Sequence, residues 1–142
     1  MYISVLTSIV GPRRWRVADK AVPMPIEPTI DADTAYAACA FMRQVEGRYP
    51  VREAILFGSR ARHAHRADSD ADVAVILKGP RTGPPGDRKA AALDMAGIAF
   101  DVLLETGILV EALPLWEDEL EHPGQFSNPG LIQNIRREGV RL

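Results

Sequence analysis

Residues 56–77 of the chain read LFGSRARHAHRADSDADVAVIL, and this stretch decides the fold. An apolar segment ends in a glycine-serine turn, basic residues follow, and alternating aspartates then lead directly into a β-branched run. That run, residues 72–77, is nearly apolar throughout, which is typical of a central strand covered on both faces. A carboxylate at the start of a buried strand is costly without a positive partner. The stretch therefore predicts a site in which a positively charged group or ion neutralises these carboxylates.

The composition indicates one globular domain without an unusual charge. The chain has 142 residues, of which 46% are hydrophobic, enough to bury a single core. A net charge of -2 and a pI near 5.9 give no field that attracts nucleic acid or anionic lipid. The single Cys39 cannot form an internal disulfide and is typical of a cytoplasmic protein. The apolar start is too short to span a membrane and lacks the basic region of a signal peptide.

The rest of the sequence alternates predicted helices with predicted strands, which is typical of the α/β or α+β class. We expect a mixed sheet of about four strands with flanking helices. The four proline residues between positions 12 and 30 predict an N-terminal arm or linker over 1–30, followed by a folded domain over 31–142. The predicted elements are a helix over 33–48, strands over 51–57 and 72–77, a loop over 79–86, a helix over 87–96, strands over 98–104 and 107–115, and a C-terminal helix that begins at Asn128-Pro129 and ends at Gly139.

Three carboxylates form the candidate metal site. Asp70 and Asp72 are two residues apart, so on a strand both side chains point to the same side. Like charges this close repel each other unless a divalent cation such as Mg²⁺ neutralises them. Asp101 interrupts the apolar run IAFDVLL, residues 98–104, which we expect to be the neighbouring strand. An acidic solvated loop explains the first pair equally well, but three carboxylates on adjoining strands are what two metal ions need.

The glycine-serine turn and the basic residues after it form a candidate phosphate site. Gly58 follows a predicted strand, where the absence of a side chain lets backbone N–H groups approach an anion. The Ser59 hydroxyl adds a donor, and Arg60 and Arg62 add positive charge. An ordinary turn followed by a solvated basic helix start is the alternative for the same residues.

The stretch GSRARHAHRADSDAD resembles the signature of the polymerase-β-type nucleotidyltransferases, in which Gly-Ser is followed after ten residues by Asp-x-Asp. It is most similar to the minimal nucleotidyltransferases, many of which are antitoxins of a small helical HEPN-domain toxin. The likeness covers roughly residues 34 to 139. It implies that ATP is the substrate and that two Mg²⁺ ions are bound by the three carboxylates. Gly58, Ser59, Arg60, Arg62 and Ser69 would then contact the nucleotide.

The resemblance also implies a partner and an acceptor. Within this family the precedent is transfer of AMP to a tyrosine of the HEPN toxin, with no direct role for nucleic acid or membrane. Transfer to a small molecule such as an aminoglycoside, with a homodimer completing the acceptor site, is one alternative. A non-catalytic antitoxin that shields its partner by contact is another.

One position departs from the family pattern. His63 stands where these proteins commonly have glycine. If the backbone there needs a positive φ, histidine adopts it less readily than glycine. In that case we expect the entry into the following helix to be shifted and the activity to be reduced.

Overall fold

A computed structural model describes residues 30–80 and 86–142 as one mixed four-stranded sheet with helices on both faces. The strands lie in the order β3-β2-β1-β4; β1 is antiparallel to β2 and β4, whereas β2 and β3 are parallel. This architecture confirms the predicted fold class. In chain order, the elements are α1 (Ala32–Glu46), β1 (Val51–Phe57), β2 (Ala71–Leu77), α2 (Gly86–Thr106), β3 (Val110–Trp116), α3 (Glu117–Glu121), a short 3-10 helix (Pro123–Gln125), α4 (Pro129–Glu138) and β4 (Val140–Arg141).

The sheet has a buried cluster on each face, because side chains alternate along a strand. Val73 and Val75 of β2 face a cluster that contains most of the buried residues of α1 and α2. Ala74 and Ile76 point the other way, into a smaller cluster with Ile135 of α4. The site described below lies on this second face, because Asp72 has the same parity on β2 as Ala74 and Ile76.

The helix ends follow the sequence signals. Asp31 caps α1 by accepting a hydrogen bond from the Thr34 backbone N–H at 3.1 Å, and Asn128 caps α4 through the Leu131 N–H at 3.2 Å. After α4, Gly139 lets the chain turn into β4 against β1. A Cβ at Gly139 would overlap both the Ile135 carbonyl and the Ile55 side chain, so only glycine fits there.

One predicted strand is wrong. Residues 98–104 belong to α2, a single helix of 21 residues, and not to a strand. Ile98 and Val102 are buried and four residues apart, while Phe100 and Leu104 are exposed, which is a helical and not a period-two pattern. The helix was hard to recognise because it is apolar on two sides, so its sequence lacks the polar stripe of an ordinary surface helix.

Two predictions cannot be compared with the fold. The N-terminal arm predicted over 1–30 falls, except for residue 30, outside the described residues, and so does the centre of the predicted loop, residues 81–85. Within the described ranges, no helix is both long and apolar enough to cross a membrane.

Candidate active site

The candidate site lies where three strands meet at one edge of the sheet. Because β1 and β2 are antiparallel, the last residue of β1, Phe57, pairs with Asp72 near the start of β2. Because β2 and β3 are parallel, Asp72 pairs on its other side with Glu111, near the start of β3. Residues directly opposite each other on neighbouring strands point to the same face. Asp72 and Glu111 therefore project together, and Asp70 lies just before β2 with the same parity.

The third acidic residue of this edge is Glu111, and not the predicted Asp101. Asp101 is exposed on α2, which packs on the opposite face of the sheet from Asp72. Asp101 was predicted because residues 98–104 were taken for the strand beside β2. The strand that lies beside β2 is the one predicted over 107–115. Glu111 is the only acidic residue in that segment, GILVEALPL, and this was the signal that could have identified it.

Burial and the neighbouring carboxylates make the ionised form of Asp72 unfavourable. Its pKa is raised from 3.8 to about 6, first by burial, then by the charge of Glu111 and a hydrogen bond with it, and then by Asp70. The positive charge of Arg62 opposes the rise in pKa only in part. Crowding of this kind favours either a bound proton or a bound cation.

The glycine-serine turn lies against Asp72. Gly58 follows β1 and has φ 75°, a left-handed backbone conformation that residues other than glycine rarely adopt. A Cβ at Gly58 would overlap the Oδ2 atom of Asp72. The Gly58 carbonyl accepts hydrogen bonds from the Ala61 and Arg62 N–H groups, both at 3.1 Å, so the chain coils into a helical turn directly after the strand. The glycine therefore brings the backbone of this turn up to the carboxylates.

Arg60 is a structural residue, which corrects the expectation that it contacts a nucleotide. Its side chain is only 2% exposed. The guanidinium donates hydrogen bonds to the Thr34 hydroxyl at 2.7 Å, the Ser69 carbonyl at 3.0 Å and the Ala67 carbonyl at 3.2 Å. Arg60 thus ties the segment before Asp70 to the start of α1, and its charge is directed away from solvent.

Ser69 and Arg62 differ in what they offer a ligand. The Ser69 hydroxyl accepts a hydrogen bond from the Arg66 N–H at 2.9 Å, so it closes the local turn before the aspartates. Arg62 is exposed and forms an ion pair with Glu138 at 3.2 Å. Because Arg62 also lowers the pKa of Asp72, it is the basic residue of this segment whose charge reaches the acidic edge.

The backbone at His63 does adopt a positive φ. His63 has φ 57° and is the one non-glycine residue with a positive φ in the described part of the chain. It lies at the end of the helical turn that begins at Gly58, where the chain reverses toward the aspartates. Left-handed backbone is more costly for histidine than for glycine.

The acidic edge fits a divalent cation by its chemistry. Asp70, Asp72 and Glu111 supply oxygen ligands of the kind that Mg²⁺ prefers. The raised pKa of Asp72 reflects its burial and, after that, the neighbouring negative charge that a cation would neutralise. Across residues 30–80 and 86–142, no three His, Cys, Asp or Glu side chains already stand together as a ligand group. Because Asp72 and Glu111 already share a hydrogen bond, binding requires the exposed Asp70 side chain to turn toward this pair.

Carboxylates beside a glycine turn are chemically suited to the transfer of phosphate-bearing groups. The family comparison is more specific. The nucleotidyltransferase domain family matches residues 39–140, which include the turn, all three carboxylates and α4. The chain therefore belongs to the nucleotidyltransferase domain family.

A solved structure supports the fold. A protein from Sulfolobus solfataricus, described as a "putative nucleotidyltransferase", is similar with a TM-score of 0.53 and 19% sequence identity. The similarity covers 84% of this chain and 90% of the other. At this identity the likeness concerns the fold alone. No curated protein matches the chain.

Proposed function

We propose that the protein transfers AMP from ATP to a hydroxyl acceptor, with Asp70, Asp72 and Glu111 as the carboxylates of the active site. The observation that carries this proposal is the register that pairs Asp72 with Glu111 and with the last residue before Gly58. It brings acidic side chains and a glycine turn to one edge of the sheet. The family match supports the general reaction, nucleotidyl transfer.

The turn at Gly58 and Ser59 holds the triphosphate. Backbone N–H groups and a hydroxyl stabilise the charge that collects on the pyrophosphate as it leaves. Arg62 adds positive charge from the same segment. When the nucleotide binds, its phosphates compete with Glu138 for the Arg62 guanidinium, since that ion pair is exposed.

The carboxylates position the reacting groups. Two bound Mg²⁺ ions would supply charge neutralisation at the α-phosphate and lower the pKa of the attacking hydroxyl. Glu111 is exposed at the start of β3, where it can accept the proton of the acceptor hydroxyl. The acceptor oxygen then forms its bond to the α-phosphorus as the bond to pyrophosphate breaks. The products are the AMP ester and pyrophosphate.

The acceptor that we propose is a tyrosine of a helical HEPN-domain toxin, which makes this protein the antitoxin of the pair. The resemblance to minimal nucleotidyltransferases supports this choice. The exposure of Asp70 and Glu111 is compatible with an acceptor presented by another protein. A small molecule such as an aminoglycoside is the second candidate acceptor for the same chemistry.

The test uses ATP labelled at the α-phosphate, Mg²⁺ and a candidate partner encoded beside this chain. We expect label on the partner with the wild-type protein and with Asp101→Asn, and none with Asp72→Asn. Replacing the acceptor tyrosine of the partner with phenylalanine should abolish labelling. Label on an aminoglycoside instead would show that a small molecule is the acceptor and would leave the proposed nucleotidyl transfer unchanged. Tight association of the partner, with label on neither the partner nor an aminoglycoside, would contradict nucleotidyl transfer.

A further inference from the structure

The backbone on both sides of Asp70 is held in place, although the Asp70 side chain is exposed. On one side, the Ser69 carbonyl accepts a hydrogen bond from the Arg60 guanidinium at 3.0 Å. On the other side, the Ala71 N–H donates a hydrogen bond to the Leu109 carbonyl at 2.9 Å, next to β3. The position of residue 70 is therefore determined by contacts with two other parts of the chain.

Arg60 joins three parts of the fold through one side chain. Its backbone belongs to the helical turn that begins at Gly58. Its Nε atom donates to the Ser69 carbonyl, its Nη2 atom donates to the Ala67 carbonyl at 3.2 Å, and its Nη1 atom donates to the Thr34 hydroxyl of α1 at 2.7 Å. Because each nitrogen of the planar guanidinium has its own acceptor, the single ammonium group of a lysine cannot reproduce this set of bonds.

Thr34 connects the Arg60 guanidinium to a carboxylate. Its side chain is completely buried, and its hydroxyl, which accepts from Arg60, donates to Asp31 Oδ1 at 2.7 Å. The Thr34 N–H donates to the other carboxylate oxygen of Asp31 at 3.1 Å, and His65 Nε2 lies 3.4 Å from Oδ1. The Arg60 charge is therefore one hydroxyl away from an opposite charge that is itself fixed at the start of α1.

These contacts leave Arg60 little freedom to move. The residue is buried, and its partners in the described ranges are neutral, namely one hydroxyl and backbone carbonyls. A buried guanidinium that lost one of these acceptors would keep an unpaired donor out of water, which is costly. The bonds therefore hold the Ser69 carbonyl, and with it the backbone before Asp70, in one place.

We propose that Arg60 and Thr34 are positioning residues, which set the place of Asp70 relative to the turn at Gly58. The inference rests on the proposed nucleotidyl transfer, in which this turn holds the triphosphate and Asp70 binds a cation that contacts it. The separation of the turn and the carboxylate must match the nucleotide, because a misplacement of about 1 Å can cost roughly a hundredfold in rate. Neither Arg60 nor Thr34 touches the nucleotide itself.

The short side chain of Asp70 makes its backbone position important. Asp70 must turn toward the hydrogen-bonded pair of Asp72 and Glu111 to complete a metal site. Its carboxylate is joined to the backbone through a single methylene group, so a displacement of residue 70 moves the oxygen atoms by a similar distance. Mg²⁺ demands short and nearly ideal oxygen contacts, so it tolerates such a displacement poorly. Loss of the Arg60 contacts should therefore weaken metal binding more than nucleotide binding.

The first test measures metal binding directly, with Mn²⁺ as the probe, an unreactive ATP analogue bound, and electron paramagnetic resonance as the readout. Thr34→Val keeps the shape of the side chain and removes the hydroxyl, so we expect Mn²⁺ to bind at least roughly threefold more weakly. Thr34→Ser keeps the hydroxyl and should restore most of the affinity. Val45→Ala is the matched control, because it truncates a buried side chain in the last turn of α1, away from Thr34. It should lower the melting temperature and leave Mn²⁺ binding unchanged.

The second test distinguishes a positioning residue from one that binds the nucleotide. Arg60→Lys keeps the charge but loses the fork of donors, so the Mn²⁺ affinity should fall at least roughly tenfold. The affinity for ATP in the presence of a metal chelator should stay within about twofold of the wild-type value, because Arg60 does not contact the phosphates. Arg62→Met, at the exposed arginine of the same turn, should instead weaken this metal-free binding of ATP. Circular dichroism establishes whether each variant is folded.

Three results would overturn the inference. One is Mn²⁺ binding at wild-type strength by both Thr34→Val and Arg60→Lys. Another is an equal loss of Mn²⁺ affinity in Val45→Ala, since lower stability alone would then account for the effect. The third is a loss of metal-free ATP affinity in Arg60→Lys as large as in Arg62→Met, which would make Arg60 a phosphate-binding residue. If Arg60→Lys does not fold, the two Thr34 variants and Val45→Ala decide the question by themselves.

Failure of the proposed function has a different signature. A wild-type protein that binds Mn²⁺ and ATP but transfers AMP to no acceptor would contradict nucleotidyl transfer, and the Mn²⁺ titrations would still measure the role of Arg60 and Thr34. Where the wild-type protein does transfer AMP, the Mg²⁺ concentration for the half-maximal rate should rise in Thr34→Val by the same factor as the Mn²⁺ dissociation constant.

Discussion

Replacing Asp72 with asparagine should make the metal-free protein more stable while removing its activity. The folded-state pKa of this carboxyl is about 6, compared with 3.8 as the ordinary value. A rise of about 2 in pKa corresponds to about 3 kcal/mol. Because the carboxyl is only half-buried and partly screened by water, we expect about 1–2 kcal/mol of this. Asparagine has a similar shape, carries no charge and can donate a hydrogen bond to Glu111.

The sign of the pH dependence follows from the same shift. The folded protein binds this proton more tightly than the unfolded chain, so the contribution of Asp72 to the unfolding free energy falls as the pH rises from about 4 to about 6. Above pH 6 the carboxylate is ionised in both states, and its full destabilising effect persists. The stability advantage of Asp72→Asn should therefore be largest near pH 8 and should shrink as the pH falls toward 4.

Urea unfolding with a metal chelator measures this effect directly. Unfolding curves of the wild-type protein, Asp72→Asn and Asp101→Asn at pH 8 and at pH 5 give the free-energy differences. Asp101→Asn is the matched control, because its carboxyl is exposed on α2. Added Mg²⁺ should stabilise the wild-type protein more than Asp72→Asn. A loss of stability in Asp72→Asn at pH 8, or a gain equal to that of the control, would refute the reasoning.

Four further substitutions test the residues that shape the site. Gly58→Ala should cost about 1–3 kcal/mol and reduce activity, because a methyl group would overlap Asp72 and the backbone φ is positive; thermal unfolding measures the first effect. Arg60→Met should lower the unfolding free energy by about 3 kcal/mol, since the buried Thr34 hydroxyl and the partly buried carbonyl groups of Ala67 and Ser69 lose their donor. Arg62→Met should cost less than about 1 kcal/mol in urea unfolding. His63→Gly should leave the melting temperature unchanged or raise it by a few degrees, because glycine relieves the left-handed strain; a clear fall in melting temperature would contradict that explanation.

Local sequence signals predicted most of the fold. β1 and the ends of α4 lie where turn residues, caps and period-two runs indicated them. The predictions depended on features that neighbouring residues determine by themselves, such as the Asn128 cap and the turn at Gly58. Helix α2 was recognised only over its first half, because its second half is apolar on two sides, with Ile98 and Val102 buried and Phe100 and Leu104 exposed.

The site was predicted in part, for a reason that lies in the sheet. Asp70 and Asp72 could be located because they are close in sequence and share a parity. The third carboxylate depended on which segment pairs with β2, and a helix mistaken for a strand placed Asp101 there instead of Glu111. The role of Arg60 could not be recognised from sequence either, because its partners in α1 and in residues 66–69 approach it only in the folded chain.

The central claim is that Glu111, and not Asp101, completes the acidic edge with Asp70 and Asp72. The most direct measurement compares Mg²⁺-dependent binding of ATP by titration calorimetry for the wild-type protein, Glu111→Gln and Asp101→Asn, each verified as folded by circular dichroism. We expect Glu111→Gln to weaken the Mg²⁺-dependent part of binding at least roughly tenfold, since a ligand of the cation is lost. Asp101→Asn should bind as the wild-type protein does. Normal binding by Glu111→Gln together with a loss in Asp101→Asn would contradict the account.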